Sequence, residues 1–173
     1  KKHNGFIDVE SKINVGTTFT IYLPATNKNI DDDIDKTIEI EHVSDCRILV
    51  MDDETIITTL LNKILTKYGY EVIISTDGEE AVSLYKKSLE ENKKIDLVIL
   101  DLTVPNGMGG KETMIELKKI DKEVKAIISS GYSNDSVINL VDEIGFAGYI
   151  TKPYKIEDLI ATINKAINNA KVN

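Results

Sequence analysis

From Cys46 onward the hydrophobic pattern alternates between short apolar runs and stretches with a 3.6-residue period, and no other feature restricts the fold as much. The runs are Ile48-Leu49-Val50-Met51, Glu71 to Ser75, Ile95 to Leu100 ending on Asp101, Ala126 to Ser129, and Gly148 to Thr151. Solid or alternating runs of this length read as strands. Between them lie helical patterns. The first carries Ile57, Leu60, Leu61, Ile64 and Tyr68 and stops at Gly69; the second runs from Glu79 to Leu89. Three more carry Met114, Leu117 and Ile120, then Val137, Leu140, Val141 and Ile144, then Ile156, Leu159, Ile160, Ile163 and Ile167. Five β–α units in strict alternation predict an α/β fold, a parallel sheet with helices on both faces joined by right-handed crossovers.

The residues before Cys46 follow a different plan. Phe6 to Glu10 and Thr18 to Leu23 alternate as strands around a turn at Lys12 to Gly16, and Pro24 stops the second. A lone hairpin is marginal in water and needs a surface to pack on, either the main domain or a missing one. Residues 26–45 form an acidic linker: Asp31, Asp32, Asp33, Asp35, Glu39, Glu41 and Asp45 face only Lys28 and Lys36. The chain begins Lys1-Lys2 without methionine and reads as a fragment or a processed product.

Charge and cysteine content narrow the setting. A formal net charge of −8 disfavours nucleic acid and anionic membrane surfaces, which attract Lys/Arg patches, so neither is expected as a direct contact. Cys46 is the single cysteine and cannot form an internal disulfide, which fits a reducing, cytoplasmic location. No apolar run approaches membrane-spanning length.

In an open α/β fold, functional groups gather outside the carboxyl ends of the strands. Asp52 and Asp53 follow the first strand, Asp101 ends the third, Ser130-Gly131 ends the fourth, and Tyr149 with Lys152-Pro153 marks the fifth. Each has an ordinary alternative. Acids at a helix start complement its macrodipole, an aspartate or serine at a strand end caps a turn, a loop lysine is solvated, and a strand tyrosine packs. Together they form a set. Carboxylates converging on one point repel unless a hard cation joins them, and a lysine at the same rim would meet an anion bound there. Pro105 and Gly109 bend the loop after Asp101 away from the strand tip. Pro153 restricts Lys152 toward extended geometry and permits a cis bond.

In this order, these residues resemble the receiver domain of a two-component response regulator across residues 46–170. The match rests on Asp52, Asp53, Asp101, Pro105, Gly109, Ser130, Gly131, Tyr149, Lys152 and Pro153. Ser129-Ser130-Gly131-Tyr132-Ser133 is similar to receivers fused to hybrid sensor kinases. Residues 1–25 resemble the last two strands of a histidine-kinase ATP-binding domain, whose nucleotide-binding parts would lie upstream.

The resemblance implies a flavodoxin-like (βα)5 fold with strand order 2-1-3-4-5, counted from Cys46, preceded by a hairpin remnant. It implies Asp101 as phosphoacceptor and Mg²⁺ held by Asp53, Asp101, the Thr103 backbone carbonyl and waters, some of them ordered by Asp52. Lys152 and Ser130 would bind phosphoryl oxygens. Ser130 and Tyr149 would switch the face formed by the fourth helix, fifth strand and fifth helix of the domain. Implied partners are a histidine kinase or its phosphohistidine domain, and a downstream histidine phosphotransfer protein. The parent chain would be a hybrid histidine kinase, tethered to a membrane or not. The fragment itself would be an autocatalytic acceptor rather than a turnover enzyme. Thr103 and Tyr132 occupy positions that influence water attack on the acyl phosphate, and neither suits that task, so slow self-dephosphorylation is expected. His3 and His42 lie outside helical patterns and read as solvated side chains. Two rivals remain at this point: a phosphorylation-independent interaction module, disfavoured by the intact acid set, and a phosphohydrolase, which would need a second acid where Thr103 stands.

Overall fold

A computed structural model describes residues 4–25, 46–105, 107–131 and 135–168. The acidic-linker assignment at 26–45, the histidines His3 and His42, and Tyr132 lie outside the described residues. The chain divides into two compact units, a hairpin unit and an α/β unit.

In the hairpin, β1 (Phe6–Lys12) and β2 (Gly16–Tyr22) pair antiparallel from Phe6 opposite Tyr22 to Lys12 opposite Gly16. The ladder extends two pairs further into the turn than the alternation predicts, Ser11 opposite Thr17 and Lys12 opposite Gly16, and stops at Tyr22. The reason is a tight three-residue loop: Val15 N–H donates to Lys12 O at 3.0 Å, and Asn14 takes up the left-handed backbone (φ 59°) that asparagine tolerates. Side chains alternate between the faces, so the Ile7/Ile21 and Val9/Phe19 pairs share one face, with Asp8/Thr20 and Glu10/Thr18 on the other. Every residue of both strands is exposed, including that apolar face.

The second unit runs β3 (Arg47–Met51), α1 (Thr55–Lys67), β4 (Glu71–Ser75), α2 (Gly78–Glu90), β5 (Leu97–Asp101), α3 (Gly110–Ile120), β6 (Ala126–Ser130), α4 (Asp135–Ile144), β7 (Gly148–Thr151), α5 (Ile156–Asn168). Its five strands are parallel in the order β4-β3-β5-β6-β7, the 2-1-3-4-5 arrangement. The central strands β5 and β6 are buried at every residue and β3 at all but its first, which is why they lack polar alternation. Leu49, Met51, Val98, Leu100, Ala126 and Ile128 form one core cluster with Tyr85 of α2, Met114 and Leu117 of α3 and Val137 of α4. The alternate residues Ile48, Val50, Leu97, Ile99 and Ile127 face the side covered by α1 and α5.

One helix sits differently from its sequence reading. In α1 the buried stripe is Thr58, Leu61 and Leu65, whereas Leu60 is 45% exposed. The 3.6-residue period cannot choose between adjacent leucines. The sheet selects Leu61 and Leu65, leaving Leu60 on the flank one turn from the exposed Ile56.

Cys46 precedes β3 and is 2% exposed. Burial, reinforced by the nearby Asp96 carboxylate, pushes its thiol up to about 12. The thiol is then almost wholly protonated in neutral buffer, and the thiolate is the nucleophile. Cys46 is therefore expected to react with a disulfide reagent such as DTNB only through unfolding, with a rate in native buffer far below that in 6 M guanidinium. Rapid labelling of the native chain would contradict its burial.

Candidate functional site

The site lies where the chain leaves the carboxyl ends of β3, β5, β6 and β7. At the end of β3, Asp52 donates its N–H to Ser75 O and accepts the Glu54 N–H on Oδ1 at 3.0 Å. The first bond ties the strand end to β4 and the second ties it to the N-cap of α1; the Asp52 carboxylate is 2% exposed, while Asp53 beside it is exposed. Asp101 ends β5 and is 7% exposed. Carboxylate oxygens of Asp52, Asp53 and Asp101 all lie within 4.8 Å of one another.

Lys152 closes the rim. Its N–H donates to Ser130 O at 2.8 Å, and the following bond to Pro153 is cis. Its Nζ stands 2.7 Å from Asp52 Oδ2, 3.1 Å from Asp101 Oδ1 and 3.8 Å from Glu54 Oε1. Burial pushes the Asp101 carboxyl up to about 6; Lys152 pulls it back and Asp52 and Asp53 add to the rise. For Lys152, burial alone would lower the ammonium. The Asp52 hydrogen bond and the Asp101 charge outweigh it and hold the amine above its ordinary value. The site thus carries more negative charge than the half-buried Lys152 balances.

The loop after Asp101 is shaped by close backbone approach. Leu102 N–H donates to Ser129 O, and Met108 O accepts the Gly78 N–H that opens α2. A Cβ on Gly110 would stand 2.6 Å from Asp101 O, and one on Gly109 2.7 Å from Leu102 O. The start of α3 therefore lies directly against the strand end that carries Asp101, and only glycine permits it. Gly110→Ala is expected to cost about 2 kcal/mol, the usual scale for overpacking against atoms that cannot give way. Urea unfolding checks this: an unchanged midpoint would mean that the helix start moves freely.

Of the other residues singled out, Ser130 is buried at the end of β6, joined to Lys152 through the backbone. Thr103 is exposed two residues beyond Asp101. Tyr149 lies on the edge strand β7. It pairs with Ile128, is 40% exposed, and lines a cleft of about 440 Å³ between β7 and α5. Two contacts went unread in the sequence. Glu54 reaches toward Lys152, and Tyr154 OH lies 2.7 Å from Ser129 Oγ. No local signal marks either, because both partners come together only through the sheet.

The acid set offers hard oxygen donors at a spacing one cation can bridge. That fits Mg²⁺, which takes one or two carboxylates and keeps several waters.

The sequence matches the family model of the response regulator receiver domain over residues 48–164. The chain belongs to the response regulator receiver family. This receiver is 33% identical over 120 residues to the chemotaxis protein CheY of Thermotoga maritima, spanning 69% of this chain and 95% of that protein. It is 31% identical to sporulation initiation phosphotransferase F of Bacillus subtilis, spanning 69% of this chain and 91% of that protein. A third similarity, 28% to the sensor kinase CckA of Brucella abortus, takes in 96% of this chain but only 18% of that kinase. Among solved structures, a receiver domain protein from Clostridium thermocellum superposes with a TM-score of 0.65 at 31% identity, covering 73% of this chain and 98% of the other. A CheX-CheY-BeF3-Mg²⁺ complex from Borrelia burgdorferi contains a chain with a TM-score of 0.64 at 26% identity, covering 74% and 90%. The receiver fold and a place in two-component phosphorelay signalling follow from this membership. Among the described residues, no helix is long and apolar enough to cross a membrane.

Proposed function

We propose that Asp101 accepts a phosphoryl group from a phosphohistidine, or from a small phosphodonor, with Mg²⁺ present. The observation that carries this reading is the convergence of Asp52, Asp53 and Asp101 within 4.8 Å, with Lys152 Nζ 2.7 and 3.1 Å from two of them. A carboxylate oxygen of Asp101 attacks phosphorus in line. The new O–P bond forms as the P–N bond breaks, and its electron pair returns to the imidazole nitrogen. Catalysis in such a transfer is mainly positioning and charge neutralisation. Asp53, Asp101 and the Thr103 carbonyl would hold the Mg²⁺, with Asp52 ordering its waters. Held by these residues, Mg²⁺ would supply charge neutralisation for the transfer. Lys152 keeps its proton and turns from the carboxylates to a phosphoryl oxygen, while the Ser130 hydroxyl donates to another.

The acyl phosphate adds about −1.5 to −2 charge and new acceptors beside β6. Ser130 moves toward it, and Tyr149 swings from its exposed position into the space vacated, changing the surface of α4, β7 and α5. Thr103 offers no group suited to orient attacking water, which favours a long-lived acyl phosphate.

The donor in this reading is a histidine kinase, or its phosphohistidine domain, and the acceptor downstream a histidine phosphotransfer protein, all in the cytoplasm. We assign residues 1–25 to the end of a kinase ATP-binding domain and residues 46–170 to the receiver of a hybrid histidine kinase. The similarity to the CckA sensor kinase, which takes in nearly the whole of this chain, supports that assignment. So does the hairpin's exposed apolar face, which needs a larger core. The test is incubation with acetyl phosphate and Mg²⁺, followed by intact-mass measurement. Stoichiometric phosphoryl uptake is expected. No uptake by a folded chain would favour a phosphorylation-independent module, and continuous phosphate release a hydrolase.

A further inference from the structure

The turn that carries Lys152 is tied to β6 at two points. One is the backbone bond from Lys152 N–H to Ser130 O at 2.8 Å. The other joins side chains: Tyr154 OH and Ser129 Oγ share a hydrogen bond of 2.7 Å. Ser129 is 1% exposed and stands in register with Asp101 on β5 and Ile150 on β7. Its backbone carbonyl also receives the N–H of Leu102, the first residue of the loop beyond Asp101. The tie therefore runs from the residue beside the acceptor aspartate, across the end of the sheet, to the residue two beyond Lys152. Tyr154 also lines the cleft between β7 and α5, close to Tyr149.

We infer that Tyr154, through its hydrogen bond to Ser129, is a positioning residue that fixes the Lys152 turn and so aims the amine at Asp52 and Asp101. A long lysine side chain loses rotamer freedom when it is held, and the turn at its base must be rigid for that to serve the reaction. A single backbone bond leaves the turn free to pivot about Lys152, and the Tyr154–Ser129 bond supplies a second fixed point. Burial pushes the Tyr154 hydroxyl up to about 12, with smaller influences from Ser129, Lys152, Asp52 and Asp101, so the phenol stays a neutral hydrogen-bonding group beside a charged site. The inference rests on Asp101 being the phosphoacceptor.

The test compares Tyr154→Phe, Ser129→Ala, the double variant and Ser129→Thr in the whole chain. Three quantities are measured: the unfolding midpoint, the rate of phosphoryl uptake from acetyl phosphate with Mg²⁺, and hydrogen exchange of the Lys152 amide. Tyr154→Phe loses stability because it orphans the buried Ser129 hydroxyl, Ser129→Ala loses less because Tyr154 is half-buried, and the double variant recovers most of the loss of Tyr154→Phe. The uptake rate does not recover. It falls about fivefold in both singles and in the double, the factor that corresponds to one hydrogen bond, while Ser129→Thr stays near wild type. The Lys152 amide exchanges faster by a similar factor in the same three variants. A double variant with wild-type uptake and wild-type Lys152 protection would overturn the inference, as would rates that simply follow stability. If the wild type takes up no phosphoryl group, the reading of Asp101 fails instead, and the amide exchange still decides whether the tie holds the turn.

Discussion

Asp101→Asn is expected to take up no phosphoryl group from acetyl phosphate and Mg²⁺ under conditions in which the wild-type chain is expected to gain a phosphoryl-sized mass. The amide has no anionic oxygen with which to attack phosphorus, so the loss exceeds the detection range rather than being partial. The variant should remain folded and become more stable in metal-free buffer. Asp101 is 7% exposed, and burial raises its carboxyl to about 6, so above that pH the native state carries an ionised group it would rather hold neutral. Asparagine removes that penalty and one partner in the repulsion with Asp52 and Asp53. Lys152 retains Asp52 at 2.7 Å. A gain of about 1 to 2 kcal/mol in urea unfolding at pH 7 without divalent ions is expected. Uptake at another residue in Asp101→Asn would refute the acceptor assignment. A large loss of stability would refute the electrostatic account.

Lys152→Ala has the opposite effect on stability. Its ammonium, in a side chain only 14% exposed, is the buried counter-charge to Asp52 and Asp101. Removing it leaves two buried carboxylates facing each other, and breaking a buried pair by deleting one partner costs about 3 kcal/mol. Added Mg²⁺ should restore more stability to Lys152→Ala than it adds to the wild type. In the wild type a Mg²⁺ held by Asp53 and Asp101 would compete with the ammonium for Asp101; in the variant it would meet no such competitor. Urea titrations with and without Mg²⁺ measure the difference directly. An equal Mg²⁺ increment in the two proteins would mean that the lysine and the ion do not share a site.

The central strands were readable because each is mostly a continuous apolar run, a pattern that strands buried on both faces demand. Gly148 to Thr151 appears with the same bounds in the structure. The parallel alternation and the carboxyl-end clustering of Asp52, Asp53, Asp101 and Lys152 then follow from connectivity. Helix orientation was less readable. The α1 pattern contains more apolar residues than one face holds, and packing against β3 and β4 chose Leu61 and Leu65 over Leu60. The glycines after Asp101 read as a bend, and their tighter role, the approach of α3 to Asp101 O, emerges only once the helix is docked.

The sequence by itself determined the fold class, the order of the site residues and the family, because these depend on periodicity and on which residue types end successive strands. Only the tertiary structure decided how the charges balance. It placed Lys152 between two of the acids, buried Asp52 and Asp101 while leaving Asp53 exposed, and brought Tyr154 to Ser129. Distance and burial set the strength of charge and hydrogen-bond interactions, and both are properties of residues far apart in the chain that meet only across the sheet.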